Sequence, residues 1–191
     1  MKKLIVFMAF LVAGASSATM AQEKMDSLRQ AKQGEKALRK AVERQEERAA
    51  YLLALKALQD KQFVLEADQV VFRDGLTAYV TSNVNFVLMN GEKSTVQVAF
   101  NTSRPGPNGI GGVTVDGTQS KMNVKMDKKG NVSCQFNVQG IGISAQVLIN
   151  MYADDNEASV TISPNFSSNT LTLNGRILPL EDSNIFKGRS W

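Results

Sequence analysis

Hydrophobic and polar positions change their period once along this chain. Up to about residue 60 apolar side chains recur at helical spacing; from Phe63 onward they alternate with polar ones. Alternation of period two marks a strand with one face in a core. In "KMNVKM" and "VSCQFNV" it is unbroken: Met122, Val124 and Met126 face one way, and Val132, Cys134, Phe136 and Val138 match them across a turn. Lys128-Lys129-Gly130 is a three-residue loop with glycine last, where a left-handed residue closes a bulged hairpin. That register pairs Met126 with Val132, Val124 with Cys134 and Met122 with Phe136. A second hairpin around "YADDNE" matches Val147, Ile149 and Met151 with Ile162, Val160 and Ala158. "FVLEADQVVF", "VNFVLM", "TVQVAF", "GVTVDG" and "TLTLNGRI" add further strands. The whole predicts a mainly β fold, an antiparallel β-sandwich or barrel-like domain preceded by a long N-terminal α-helix.

The helix rests on composition as well as period. Residues 23–60 contain no proline and one glycine, Gly34, and are rich in Ala, Glu, Lys, Arg, Gln and Leu. Leu28, Ala31, Leu38 and Val42 form a thin stripe, which thickens to Tyr51, Leu52, Leu53, Leu55 and Leu58. The thick end, residues 49–58, is expected to pack on the β domain and residues 23–40 to be solvated. A coiled-coil seam would place Glu35 and Gln45 at core positions, which argues against one.

The first residues read as an address. Lys2 and Lys3 precede the apolar run "LIVFMAFLVAG", too short to span a bilayer comfortably, and Thr19 and Ala21 give small residues at a cleavage site. Residues 1–21 are therefore expected to be a secretory signal, residues 22–62 a charged helical segment and residues 63–191 the antiparallel domain. No cysteine follows the apolar run, so no lipid attachment site is read there, and nothing later could span a membrane as a helix. The expectation is a periplasmic or secreted protein.

Charge and composition then remove chemistries. Residues 22–62 carry ten basic and seven acidic side chains, whereas residues 63–191 carry ten and eleven. A domain so near neutrality has no electrostatic footprint for nucleic acid. The chain has no histidine, which excludes Ser-His-Asp and Cys-His catalysis and the usual zinc sites. The single cysteine, Cys134, cannot form an internal disulfide and alternates into the core.

"PGPNGIGGVTVDG" is the candidate site. It fails as a phosphate loop, because Gly111-Gly112 lead into the strand Val113-Thr114-Val115 rather than Lys-Ser/Thr and a helix. The dinucleotide fingerprint would need glycine where Thr114 stands. Two readings stay open: a structural turn or bulge, and a ligand-contacting lip formed by Pro105, Gly106, Asn108, Gly109, Gly111 and Gly112. "DDNE" (Asp154, Asp155, Asn156, Glu157) lacks EF-hand spacing and reads as a solvated turn. Glu66 with Asp68, and Glu181 with Asp182, are the carboxylate pairs a histidine-free hydrolase could use, but sequence proximity alone does not diagnose them. In the terminal "FKGRSW", Lys187 and Arg189 share an alternate face with Trp191, which argues against a lipid-facing strand.

From "FVLEADQVVFRDG" through "PGPNGIGGVTVDGTQS" to "NGRILPLEDSNIFKG" the chain resembles the domain of unknown function numbered 4251, small exported proteins of Bacteroides-type bacteria. The resemblance runs from about residue 60 to the C-terminus. It implies a periplasmic or outer-envelope location and brings no catalytic or binding residues with it. The expected function is that of a non-enzymatic binding or interaction module with no cofactor or metal. Its partner would be an envelope protein or an apolar small molecule, which inward-facing Met122, Met126 and Met151 could help to line. No nucleic acid and no integral membrane span are expected.

Overall fold

The computed structural model describes residues 2–100 and 107–190, with side chains from residue 25. The chain divides into two compact units, Met1–Gln45 and Glu46–Trp191. The helix α1 spans Lys2–Asp60, and from Met25 to Gln45 its side chains are exposed, as the thin stripe implies. The second unit takes the last turns of α1 and all strands: β1 (Gln62–Phe72), β2 (Thr77–Tyr79), β3 (Phe86–Asn90), β4 (Lys93–Ala99), β5 (Gly112–Met126), β6 (Val132–Gln139), β7 (Ser144–Met151), β8 (Glu157–Pro164) and β9 (Leu171–Pro179).

Eight of these strands close into an antiparallel barrel in the order β1-β3-β4-β5-β6-β7-β8-β9, with β9 pairing back onto β1; β2 adds to β1 at one side. Of the two architectures the alternation allowed, the closed barrel is the one formed. Closure leaves no sheet edge along the ring. The seam requires a glycine: a Cβ on Gly175 would lie 2.0 Å from the Glu66 carbonyl oxygen. A register shift between Ala67 and Gln69 bends β1 there, so its first half pairs with β3 and its second with β2.

Inward positions make the core. Phe63, Leu65, Met89, Cys134, Phe136, Ile149, Met151, Leu173 and Ile177 are all sealed from solvent. The outer positions of β6 and β8, including Ser133, Gln135, Asn137, Ser159 and Thr161, are polar. That is the reverse of a barrel facing lipid. Among the described residues no helix is long and apolar enough to cross a membrane.

Both expected hairpins form. Gly130 has φ 90°, and Met126 pairs with Val132 and Val124 with Cys134. Met122 does not pair with Phe136, because a bulge between Ser120 and Asn123, with Lys121 at φ 56°, shifts the register. "GVTVDG" and "KMNVKM" are one bent 15-residue strand. In the second hairpin all three expected pairs are present.

The last turns of α1 lie across one end of the barrel. Tyr51, Ala54, Ala57 and Leu58 join the core, and the Tyr51 hydroxyl donates to the Gly130 carbonyl at 2.6 Å. Burial, with Asp154 and Asp127 nearby, raises the Tyr51 pKa, so it stays a donor. Leu52 and Leu53 differ from expectation: they are exposed, because a helix offers a flat neighbour only one face.

Candidate functional site

The described residues of the connections at the other end of the barrel are 73–76, 100 with 107–111, 140–143 and 165–170. There the inward alternation continues with apolar residues, but burial fails. Phe72 is 36% and Val113 45% exposed, while Val98, Phe100, Val115, Ile143 and Leu171 are only partly covered. The Phe72 and Phe100 rings meet at a centroid distance of 5.6 Å, linking β1 to the chain just after β4. A cleft of about 720 Å³ opens there, lined by Phe72, Arg73, Asp74, Leu76, Asn169, Thr170 and Leu171. An eight-stranded barrel has an interior just wide enough for its own side chains or one small ligand. This one is packed at the helix end and open at the mouth.

The loops around the mouth are built by local hydrogen bonds. Gly75, at φ 85°, donates to the Phe72 carbonyl at 2.9 Å, and Asp74 Oδ1 accepts from the Leu76 amide at 3.2 Å. Gly140 donates to the Ile143 carbonyl at 2.8 Å, which closes the 140–143 turn. Arg73 reaches the Ser168 hydroxyl at 2.6 Å and so ties the first loop to the last. Asn165 holds the other side through Ser144, by its amide to the carbonyl and its side chain to the hydroxyl.

The glycine-rich loop belongs to this end, and Asn108 organises it. Asn108 is buried; its Oδ1 accepts from the amides of Ile110 (3.1 Å) and Gly112 (2.9 Å). Gly109 and Gly111 have φ 80° and 92°, left-handed values that side chains resist. Gly112 serves close approach instead, since a Cβ would fall 1.8 Å from the Val98 carbonyl oxygen. Pro105 and Gly106 lie outside the described residues. Asn108, Gly109, Gly111 and Gly112 thus build the turn that returns the chain at the mouth.

On the outside, the same loop receives a strap that the sequence did not reveal. After a 3₁₀ turn at Leu180–Asp182, residues 183–190 run without regular structure over β3, β4 and β5. Gln97, fully buried, reads this backbone: Nε2 donates to the Phe186 carbonyl (2.8 Å) and Oε1 accepts from the Gly188 amide (2.8 Å). The Thr114 hydroxyl holds the same Oε1 at 2.7 Å. Arg189 donates its amide to the Asn108 carbonyl at 3.1 Å. Lys187 Nζ donates to both oxygens of Asp116, at 2.7 and 2.8 Å. Partial burial alone would raise the Asp116 pKa, but hydrogen bonds from Lys187, Thr95 and Ser190 and the Lys187 charge outweigh it and hold the carboxyl below its ordinary value. The strap has no helix or strand period, so only a fold could show it. A buried glutamine in the strand "TVQVAF" was its one trace in the sequence.

The other candidates are scattered. Cys134 is buried, and desolvation pushes its thiol up to about 12, far from a nucleophile's range. Glu66 accepts from the Ser183 hydroxyl at 2.7 Å and starts the strap, whereas Asp68 lines a separate outer cleft with Tyr79 and Tyr152. The bulge in β1 separates these two carboxylates. Glu181 and Asp182 are exposed in the 3₁₀ turn and do not share a cleft with each other: Glu181 lines one with Asp60 of α1, which Asp182 does not reach. In "DDNE", Asp155 Oδ1 accepts from the Glu157 amide at 3.2 Å and Asn156 donates to the Ile177 carbonyl at 3.0 Å, as turn residues do. Of the methionines expected to line a cavity, Met151 is sealed in the packed half, Met122 sits in the bulge and Met126 is exposed beside Tyr51. The mouth is lined by aliphatic and phenylalanine side chains instead.

Comparison with known proteins places the chain. The family model described as "Domain of unknown function (DUF4251)" matches residues 42–177. A crystal structure of a DUF4251 family protein from Bacteroides eggerthii is similar, with 61% identity and a TM-score of 0.65. The similarity covers 78% of this chain and 99% of that one. Among curated proteins none matches.

Proposed function

This chain belongs to the DUF4251 family, and from that premise we propose a non-enzymatic binding module of the bacterial envelope, which takes an apolar, lipid-like molecule at the open mouth of its barrel. One observation carries the reading: a single inward alternation is sealed at the helix end and left half-exposed, in Phe72 and Val113, at the other. Leaving such side chains wet costs about 25 cal/mol per Å² of apolar surface, and a ligand would recover it. The cleft of about 720 Å³ is of the size that small-molecule sites occupy. Around it stand apolar walls with a few polar groups, Arg73, Asp74 and Asn169, that would orient a ligand's polar end. Export by the N-terminal apolar run fits a carrier that works outside the cytoplasm. A carboxylate hydrolase draws no support from Glu66 and Asp68, which serve different surfaces.

Titration with N-phenyl-1-naphthylamine, which fluoresces in apolar surroundings, tests the proposal. Saturable binding to one site is expected, weakened about tenfold or more in Phe72→Glu, where a charge in the cleft lining would be desolvated by the ligand. No saturable signal, or equal binding by native protein and variant with unchanged circular dichroism, would overturn it.

A further inference from the structure

We infer that the loop tips around the mouth dock the barrel on the surface of a lipid bilayer. The purpose of such docking rests on the mouth reading above; its evidence is separate. Three of the four connections at this end each carry one large apolar residue that stands free: Leu76 at 66%, Ile141 at 97% and Phe166 at 93% exposure. Neither Ile141 nor Phe166 lines the cleft, so contact with a ligand there does not account for their exposure. Nor are these tips slack. The bonds through Gly140, Asn165 and Arg73–Ser168 hold them on closed turns around one opening.

The chemistry of the tips selects the partner. The turn holding Ile141 is otherwise glycine, Gly140 and Gly142, with Ile143 turned toward the core; the loop holding Phe166 is otherwise Asn165, Ser167, Ser168, Asn169 and Thr170. Among the described residues of these connections, the charged ones are Arg73 and Asp74, which cancel. Small neutral residues cost little to bring to an interface, and the turns that hold Ile141 and Phe166, with no charged residue of their own, offer no electrostatic grip to a charged protein. Ile141 and Phe166 stand as pegs on different loops, each flanked directly by glycine or by polar residues, so neither is set in a run of exposed apolar residues of the kind that a protein partner buries in its interface core. A fluid apolar medium accepts such pegs one by one. Their position around the mouth would open the cleft toward the acyl chains from which an apolar ligand would come.

Co-sedimentation of the full chain with phosphatidylcholine vesicles is the test. Binding is expected to these uncharged vesicles and to persist as salt rises from about 0.1 to 0.5 M, where surface charge attraction is screened away. Ile141→Ser and Phe166→Ser should each lower the partition coefficient about tenfold, and the pair about a hundredfold, from the apolar area each inserts. Both sites are exposed, so the melting temperature should not move, and naphthylamine binding should remain. Phe72→Glu, in the cleft lining, should show the opposite pattern, losing the probe while keeping the vesicles. Failure to sediment with phosphatidylcholine would overturn the inference. So would binding that requires anionic lipid and vanishes with salt, or a dimer in sedimentation velocity that the tip substitutions dissolve.

Discussion

Gly109 and Gly112 stand three residues apart in one loop and answer to different constraints. Gly109 needs its left-handed backbone but has open space where a Cβ would go; Gly112 has no such φ but meets the Val98 carbonyl at 1.8 Å. Gly109→Ala should therefore cost roughly 1 kcal/mol, and Gly112→Ala roughly 3 kcal/mol or more, because backbone must move. Urea midpoints at constant m-value check the order; equal losses would contradict it. Asp116 supplies a pH dependence of known sign. Its folded pKa lies below the unfolded one, so its contribution is present above the ordinary carboxylate range, about pH 4, and is lost as pH falls through the depressed folded value. With both partners of its ion pair about two-fifths exposed, that contribution should be no more than about 1 kcal/mol. Asp116→Asn should be less stable than the native chain at pH 7, with the gap closing toward pH 3; a gap that widens on acidification would show the strap contact to be unimportant. The glycines announced a turn in the sequence, but nothing there told Gly109 from Gly112, since one obeys its own torsion and the other a neighbouring strand.

Local elements were legible where the chain's own period defined them. Both hairpins follow from alternation plus a glycine or Asp-Asp turn, and the register of the β7–β8 pair is as read. Met122 was misplaced because a bulge inserts residues without changing composition, and β2 was missed because three residues carry no period. The thick end of α1 does pack on the barrel, yet only one face of it can. Leu58→Ala should cost about 3 kcal/mol, in line with a buried leucine that leaves a cavity, whereas Leu52→Ala should stay within about 0.5 kcal/mol. Thermal denaturation of the two variants separates them, and similar losses would mean that the exposed face of α1 is covered by something else. Limited proteolysis should cut first before about residue 45, where the described side chains, from Met25 on, are exposed; first cuts within "YLLALKAL" would contradict the packed end.

Closure of the whole barrel lay beyond a sequence reading, because β1 and β9 join residues 99 to 116 positions apart and a sandwich would bury the same inward set. Gly175 in "TLTLNGRI" was the available hint, a strand glycine that marks close backbone approach at the seam. The contrast between packed and open ends also appears only when the strands are assembled, since Val113 and Val147 are alike in sequence but one is half-exposed and the other sealed. An open apolar mouth that takes a lipid-like molecule is the central claim, and occupancy is its most direct test. Native mass spectrometry of the protein purified gently from the cells that make it should show, beside the bare chain, a species heavier by one lipid-sized mass, which Phe72→Glu removes. A single bare mass from native protein and variant alike would contradict the claim.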